Sequence, residues 1–297
     1  MKHLITTADF TNKEILELYK DAKDFIDLQS NSALEGKLIV TLFFENSTRT
    51  RSSFEIAAKR LGAKVVNLEV QTSSTKKGET VEDTVANLNA MKPDAIIIRH
   101  SDCGLPASLI NQVDCPILNA GDGKNAHPTQ ALLDLFTILE HFNYKVKNKK
   151  IGIVGDILNS RVASSNLELL PRFGLKPVLI TPKEFKIKSK HQTSTNLKGI
   201  MDELDMIMSL RVQHERHTHD MLPEEVYERT RKYAKKYCIT KRLMKDRDIL
   251  LLHPGPVNRN VDISDEMLED KRSKVLEQVR NGVAVRMACL KKLILEQ

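Results

Sequence analysis

Short apolar runs and amphipathic stretches alternate along the first half of the chain. Apolar residues at i, i+3, i+4 and i+7 spacing indicate helices between the runs, as at Phe54, Ala57, Ala58 and Leu61. Strand followed by helix, repeated, is typical of parallel βαβ units. The runs rich in β-branched residues predict strands at 37–44, 64–70, 94–99 and 116–119, and the amphipathic stretches predict helices at 51–61, 79–91 and 128–142.

The same pattern restarts after a polar, basic segment at 143–150, which we interpret as a hinge or short linker. We therefore expect an α/β protein of two doubly wound parallel-sheet domains, residues 1–142 and 143–271. A final amphipathic helix at 272–297 is long enough to return to the first domain and join it. The second half is predicted to contain strands at 150–155, 176–180, 205–210 and 248–252 and a helix at 160–173.

Composition indicates a globular protein, because 41% of the 297 residues are hydrophobic and 29% are charged. No apolar run approaches the roughly 20 residues of a membrane span. The start of the chain lacks the apolar region of a signal peptide. We therefore expect a cytoplasmic protein with no membrane partner.

A formal net charge of +7 raises the question of nucleic acid binding. The lysines, however, are dispersed in short runs, and aromatic residues make up 5% with no tryptophan, which leaves little for stacking on bases. Solvated lysine faces explain the charge better, and no nucleic acid partner is predicted. A positive field also suits small anionic substrates.

Cysteine and histidine spacing gives no support for a metal site. The four cysteines are scattered without a Cys-x-x-Cys pair and are interpreted as structural thiols. His214, His217 and His219 are clustered, but the segment has no cysteine and no matched second pair of ligands. The sequence therefore predicts no metal.

The junction between the first strand and the next helix has the chemistry of an anion site. Residues 47–51 read Ser-Thr-Arg-Thr-Arg and combine three hydroxyl groups with two arginines. They lie where the unpaired N–H groups and the positive dipole end of the helix converge, which favours phosphate or carboxylate. The alternative is that Ser47 or Thr48 only caps the helix while the arginines are solvated. Since neither a Walker lysine nor a Gly-rich loop is present, a nucleotide is not predicted.

Polar segments also follow other predicted strands, at the carboxyl ends where α/β proteins bind ligands. Arg99 could be a ligand or a surface charge, whereas a histidine such as His127, taken alone, is more often a helix cap or a satisfied polar group. Residues 151–156 contain only two glycines and are interpreted as a buried strand and tight turn, not as a dinucleotide fingerprint. The remaining segments are Asn159-Ser160-Arg161, Arg211-Val212-Gln213 and His253-Pro254-Gly255-Pro256.

Taken in chain order, these segments resemble the catalytic chains of aspartate carbamoyltransferases from about residue 4 to residue 290. Arg-Val-Gln and His-Pro-Gly-Pro resemble the aspartate enzymes, whereas ornithine enzymes typically carry Ser-Met-Gly and His-Cys-Leu-Pro, which do not occur here. The matching segments are Phe-Phe-Glu-Asn-Ser-Thr-Arg-Thr-Arg, Lys-Lys-Gly-Glu-Thr, Arg-His, His-Pro-Thr-Gln-Ala-Leu-Leu-Asp, Gly-Asp-Ile…Ser-Arg-Val, Arg-Val-Gln-x-Glu-Arg and His-Pro-Gly-Pro-Val-Asn-Arg.

The resemblance implies a transcarbamoylase fold and a transferase of pyrimidine biosynthesis that uses carbamoyl phosphate and L-aspartate. It implies no metal or organic cofactor. A transcarbamoylase for another amine acceptor, such as ornithine, is the closest alternative. Val162 stands where some family members have threonine, so one hydroxyl contact to substrate is not expected.

The resemblance also implies roles for individual residues. Carbamoyl phosphate binding is implied for Ser47, Thr48, Arg49, Thr50, Arg99, His127, Gln130, Pro254 and Gly255, with Arg49, Thr50, Arg99 and His127 catalytic; aspartate binding is implied for Lys77, Arg161, Arg211 and Gln213. Ser73 and Lys77 are expected to come from the adjacent subunit of a homotrimer with shared active sites. Regulatory chains could enlarge this assembly.

Overall fold

The computed structural model describes residues 1–69, 80–211 and 222–296. The chain forms two compact units, one of Met1–Phe136 with Val279–Gln297 and one of Thr137–Gln278. The domain limits expected from the sequence stay a prediction. Among the described residues, no helix is both long and apolar enough to cross a membrane.

Each unit is built on one parallel sheet. In the first unit the strand order is β2-β1-β3-β4, and in the second it is β7-β6-β5-β8-β9. The strands are β1 (Leu38–Phe43), β2 (Lys64–Glu69), β3 (Ala95–His100), β4 (Ile117–Asp122), β5 (Lys150–Val154), β6 (Lys176–Ile180), β7 (Gln192–Ser194), β8 (Met206–Ser209) and β9 (Leu250–Leu252).

Helices connect the strands and cover the sheets. The α-helices are α1 (Asn12–Phe25), α2 (Thr48–Arg60), α3 (Val81–Ala90), α4 (Leu105–Ser108), α5 (Pro128–His141), α6 (Arg161–Leu169), α7 (Leu197–Ile200), α8 (Pro223–Tyr237), α9 (Lys241–Met244), α10 (Asp265–Leu268) and α11 (Val275–Leu295).

These elements confirm the predicted α/β fold with two parallel sheets, and all eight predicted strands are observed. The helix predicted over 160–173 is shorter, because α6 ends at Leu169 and a 3₁₀ turn follows over Leu170–Phe173. Pro171 lacks the N–H group that would continue the α-helical ladder. Helix α2 begins at Thr48, three residues before its predicted start at residue 51.

Several observed elements were not predicted: helix α1, strand β7, helix α8 and the four-residue helices α4, α7, α9 and α10. Helix α1 carries a sequence signal, since Thr11 and Glu14 form a reciprocal capping box at its start. Helix α8 is almost entirely polar and buries Tyr233 and Tyr237 against the core of the second unit. The short strand β7 lies at the edge of its sheet, beside β6.

The C-terminal part of α11 belongs to the first unit, as the predicted return of the last helix requires. Lys291 forms an ion pair with Asp21 of α1 at 2.9 Å. Arg286 is fully buried, donates to the Ser53 hydroxyl of α2 at 3.0 Å and lies over the Phe54 ring. Loss of hydration lowers the pKa of Arg286 to about 10, so the guanidinium stays charged near pH 7.

Three of the four cysteines have the character of structural thiols, and the fourth, Cys103, is exposed. Cys115 and Cys289 are buried, and burial raises the pKa of each to about 12. Burial likewise raises the pKa of Cys238 to about 11. These three thiols therefore stay protonated near neutral pH, the form that is a poor nucleophile and metal ligand.

Candidate active site

The first sheet has a topological switch point between β1 and β3. From β1 the chain moves outward to β2, and it then crosses back to β3 on the other side of β1. Ligands of open α/β sheets bind outside the carboxyl ends of the strands at such a point. Phe43, the last residue of β1, pairs with Arg99 near the end of β3. Residues that follow β1 and residues that end β3 therefore share one edge of the sheet.

The start of α2 supplies the first group of donors at this edge. The first intrahelical bond runs from the Arg51 N–H to the Ser47 carbonyl at 3.1 Å, so the N–H groups of residues 48–50 precede the helical ladder. Ser47 occupies the N-cap position, yet its side chain makes no capping hydrogen bond within the described chain. The capping alternative for Ser47 is thus not observed, and the hydroxyls lie beside N–H groups suited to an anion.

Arg99 is held in place on two sides. Its Nε donates to Oε2 of Glu45 at 3.1 Å, and its Nη1 donates to the Ala120 carbonyl at 3.1 Å. Only 13% of the Arg99 side chain is exposed. Glu45 was not singled out from the sequence, although it lies in the Phe-Phe-Glu-Asn segment. Such contacts fix the plane of the guanidinium at the sheet edge before any ligand binds.

His127 is buried directly before the first residue of α5. The loop that leads to it is organised by Asp122, a fully buried carboxylate. Asp122 accepts hydrogen bonds from the Gly104 N–H at 2.7 Å and from the Ala126 N–H at 3.0 Å. These bonds connect the loop after β3 to the residue before His127 and so fix the backbone that carries the imidazole.

Gln130 is oriented by a neighbour one helical turn later. Its Nε2 donates to Oδ1 of buried Asp134 at 2.8 Å. With the amide nitrogen directed at Asp134, the opposite face of the amide presents the carbonyl oxygen as an acceptor. Asp134 was quoted from the sequence only as the end of a motif, and its i, i+4 relation to Gln130 could have suggested the pair.

The second sheet has its own switch point, between β5 and β8. Arg161 is the first residue of α6, the helix that follows β5, and only 8% of it is exposed. Arg211 lies one residue beyond Leu210, whose N–H donates to the Val154 carbonyl at 2.8 Å. Gly155 completes the turn at φ +126°, where a Cβ atom would come within 2.9 Å of the Leu210 carbonyl. The two arginines therefore share the carboxyl edge of the second sheet.

Each unit thus gathers its own set of predicted site residues, and three predicted residues, Ser73, Lys77 and Gln213, lie outside the described part of the chain, as do the clustered histidines 214, 217 and 219. The first unit contains Ser47, Thr48, Arg49, Thr50, Arg99, His127 and Gln130, and the second contains Arg161, Arg211, Pro254 and Gly255.

Fold and candidate sites together define a two-unit α/β protein whose two sheets carry groups suited to small anions at their carboxyl edges. Two family models match it: the carbamoyl-P binding domain of aspartate/ornithine carbamoyltransferase at residues 2–140 and the Asp/Orn binding domain at residues 147–293. The chain belongs to the aspartate/ornithine carbamoyltransferase family.

Similar proteins of this family include curated relatives and solved structures that are named as aspartate enzymes. The chain is 64% identical over 296 residues to an aspartate carbamoyltransferase catalytic subunit of Aliarcobacter butzleri, covering 99% of both chains. It is 60% identical to that of Campylobacter lari, with complete coverage of each. The solved catalytic subunit of M. jannaschii aspartate transcarbamoylase matches with a TM-score of 0.88 at 34% identity, covering 100% of this chain and 99% of that one. Aspartate transcarbamoylase from Trypanosoma cruzi in complex with N-(phosphonacetyl)-L-aspartic acid matches with a TM-score of 0.88 at 29% identity, covering 98% and 95%.

Proposed function

We propose that this chain transfers the carbamoyl group of carbamoyl phosphate to the amino group of L-aspartate. The products are N-carbamoyl-L-aspartate and phosphate, in a step of pyrimidine biosynthesis. The observation that carries the proposal is the placement of groups suited to anions at each of two switch points: hydroxyls and helix N–H groups at the first, and two arginines at the second. The relatives named as aspartate carbamoyltransferases support aspartate as the acceptor.

The phosphate group binds at the start of α2. Ser47, Thr48 and Thr50 donate from their hydroxyls, and the N–H groups of the first turn point at the same anion. Arg49 offsets the negative charge that grows on the leaving oxygen as the bond to the carbamoyl carbon breaks.

Charge also develops on the carbamoyl carbonyl oxygen when the aspartate amine attacks. A C–N bond forms, the C–O bond to phosphate breaks with its electron pair on the departing phosphate, and the proton lost by the amine is taken up by that phosphate. Arg99 and His127 donate to the developing oxyanion, with Thr50 assisting. Because Arg99 is braced by Glu45 and Ala120, little reorganisation is required during the reaction.

The carbamoyl NH2 group is bound by acceptors. Gln130 supplies its side-chain carbonyl oxygen, since its amide nitrogen is directed at Asp134. The second acceptor is the backbone carbonyl of Pro254, with Gly255 beside it. These contacts orient the carbamoyl plane for attack.

The two carboxylates of aspartate bind to Arg161 and Arg211, where the planar guanidinium fork matches carboxylate geometry better than lysine does. Gln213 and Lys77 complete this pocket. Ser73 and Lys77 act from the adjacent subunit of a cytoplasmic homotrimer. A mixture of Lys77→Ala and Arg49→Ala chains, dissociated and reassociated, should regain activity in hybrid trimers, and the absence of recovery would indicate self-contained sites.

The direct test is to measure carbamoyl-aspartate formation by the purified protein from the two substrates. Ornithine and acetylated amino acids, offered in place of aspartate, test the alternative acceptor. We expect turnover with aspartate alone. An enzyme that uses ornithine and ignores aspartate would replace the proposal with its alternative, and a protein that releases no phosphate with any acceptor would end it.

A further inference from the structure

The loop that follows β9 is held by a buried histidine and aspartate outside the residues assigned above. His253 and Asp262 have fully buried side chains, and Nε2 of His253 lies 3.2 Å from Oδ2 of Asp262. Nδ1 of the same ring accepts a hydrogen bond from the Gly255 N–H at 2.8 Å. The His253 N–H donates to Oε1 of Gln278 at 2.9 Å. Every polar atom of the ring is therefore engaged.

These contacts define the tautomer of His253. Because Nδ1 accepts from a backbone N–H, the ring proton of the neutral imidazole is on Nε2 and points at the Asp262 carboxylate. Oδ2 of Asp262 also accepts from the Asn258 N–H at 2.8 Å. The carboxylate thus fixes the ring, and the ring in turn fixes the backbone at Gly255.

The bond to Gly255 has a consequence for the residue before it. The Gly255 N–H and the Pro254 carbonyl belong to the same planar peptide unit, and in a trans unit they point in opposite directions. A contact that fixes the N–H therefore also fixes the direction of the carbonyl. The Gly255 N–H points at the His253 ring, so the Pro254 carbonyl oxygen points away from that ring.

We infer that His253 is a positioning residue that aims the Pro254 carbonyl at the carbamoyl NH2 group, with Asp262 holding the imidazole. The inference rests on the proposed function, which assigns the carbonyl as an acceptor. It follows that His253 and Asp262 affect binding of the carbamoyl group. Phosphate recognition by the α2 site is independent of both residues.

Two substitutions separate the contacts of the ring. In His253→Asn, the amide oxygen takes the place of Nδ1 and can accept from the N–H two residues on, as in an Asx-turn. In His253→Gln, the longer side chain places its amide near Asp262, and the Gly255 N–H is left without the acceptor that Nδ1 provides. Asp265→Asn, which alters an exposed carboxylate paired with Arg259, is the matched control in the same segment.

The experiment compares KM for carbamoyl phosphate with inhibition by inorganic phosphate. His253→Ala and His253→Gln should raise KM roughly tenfold, as expected for one misplaced hydrogen bond, while the phosphate inhibition constant changes less than about twofold. His253→Asn should recover most of the loss, and Asp265→Asn should match the wild type. Asp262→Asn should behave as a milder His253→Gln.

The outcomes distinguish this inference from the proposed function. A wild-type protein that forms no carbamoyl-aspartate contradicts the function itself. An active wild type whose asparagine and glutamine variants lose carbamoyl phosphate and phosphate binding equally indicates a general structural role and overturns the inference. Wild-type KM values in His253→Gln would overturn it as well. If His253→Ala does not fold, the asparagine and glutamine pair still decides the result.

Discussion

The junctions β1–α2 and β5–α6 each join a parallel strand to a helix, but in the residues that the structure describes only the second helix is capped by the serine at its start. At the β5–α6 junction, the Ser160 hydroxyl accepts from the Ala163 N–H at 3.1 Å and so caps its own helix. At the β1–α2 junction, Ser47 makes no such capping bond in the part of the chain that is described. The first turn of α6 is capped by its own serine, whereas we propose that the first turn of α2 binds the phosphate group.

This difference fits the anion that we propose for each unit. A phosphate has several oxygens and is matched by a cluster of N–H and hydroxyl donors at an uncapped helix start. Carboxylates are matched by the planar guanidinium groups of arginines. In the proposed site of the second unit, Arg161 and Arg211 bind the carboxylates, so Ser160 is available to cap α6. We therefore expect a serine to have a binding role in the first unit and a structural role in the second.

The largest effect is expected at the oxyanion contact of the first unit. Arg99→Ala should lower kcat by about 10²- to 10³-fold, because one donor to the developing charge is lost. Steady-state kinetics measures this change. Arg280→Ala, which removes an exposed ion pair with Asp27 in the same unit, is the control and should keep wild-type kcat. Equal kcat for the two variants would exclude Arg99 from the chemistry.

Next in size is the loss of a carboxylate fork in the second unit. Arg211→Ala should raise KM for aspartate about 10- to 100-fold, since charged hydrogen bonds of this kind contribute about 1.5–3 kcal/mol. The phosphate inhibition constant should stay unchanged. Arg231→Ala on α8, an exposed arginine, provides the matched control. Parallel losses of aspartate and phosphate affinity would show that the two sites are not separable in this way.

The two serines test the comparison directly. Ser160→Ala should lower the free energy of unfolding by about 1 kcal/mol, the usual contribution of a capping side chain, without changing phosphate inhibition. Ser47→Ala should weaken phosphate inhibition several-fold with little change in stability. Denaturant unfolding and phosphate inhibition, measured on both variants, check the pair. The reverse assignment of effects would mean that Ser47 is the capping residue.

The smallest effect concerns a carboxylate with no role in ligand binding. Three donors of Arg272 hold Asp270, and the bonds from its side chain lower the pKa of Asp270 from 3.8 to about 2. A lowered pKa stabilises the fold above pH 3.8, and this stabilisation is lost as the pH falls through about 2. Asp270→Asn should therefore lower the melting temperature at pH 7 by about 2–4 °C.

The difference in melting temperature between Asp270→Asn and the wild type should shrink as the pH is lowered from 4 to 2. Thermal unfolding of both proteins at each pH measures this difference. The KM values of Asp270→Asn for both substrates should match the wild type. Glu14→Gln offers a counterpart in the first unit, because the bond from Lys2 lowers the pKa of Glu14 to about 2. A deficit that stays constant down to pH 2 would contradict the role of either ionised carboxylate.

Local pattern in the sequence was sufficient for much of this protein. All strands except β7, together with helices α2, α3, α5, α6 and α11, follow from residue type and spacing, because each depends on neighbours along the chain, and so does the expectation of an anion site at residues 47–51. Helix α8 was missed although Tyr233 and Tyr237, one helical turn apart, are buried, because most of its other residues are polar. In the structure, Tyr233 and Tyr237 lie in the hydrophobic core of the second unit.

The supports of the candidate site were decided by tertiary structure alone. Glu45 reaches Arg99 across 54 positions of sequence, and the buried Asp122 joins loops that follow two different strands. His253 acquires its orientation only when the chain turns back to bring Asp262 against it. The sequence determines which side chains can bind phosphate and carboxylate, because that chemistry belongs to each residue. Strand order decides where those side chains meet and what holds them, because such contacts depend on how distant segments pack.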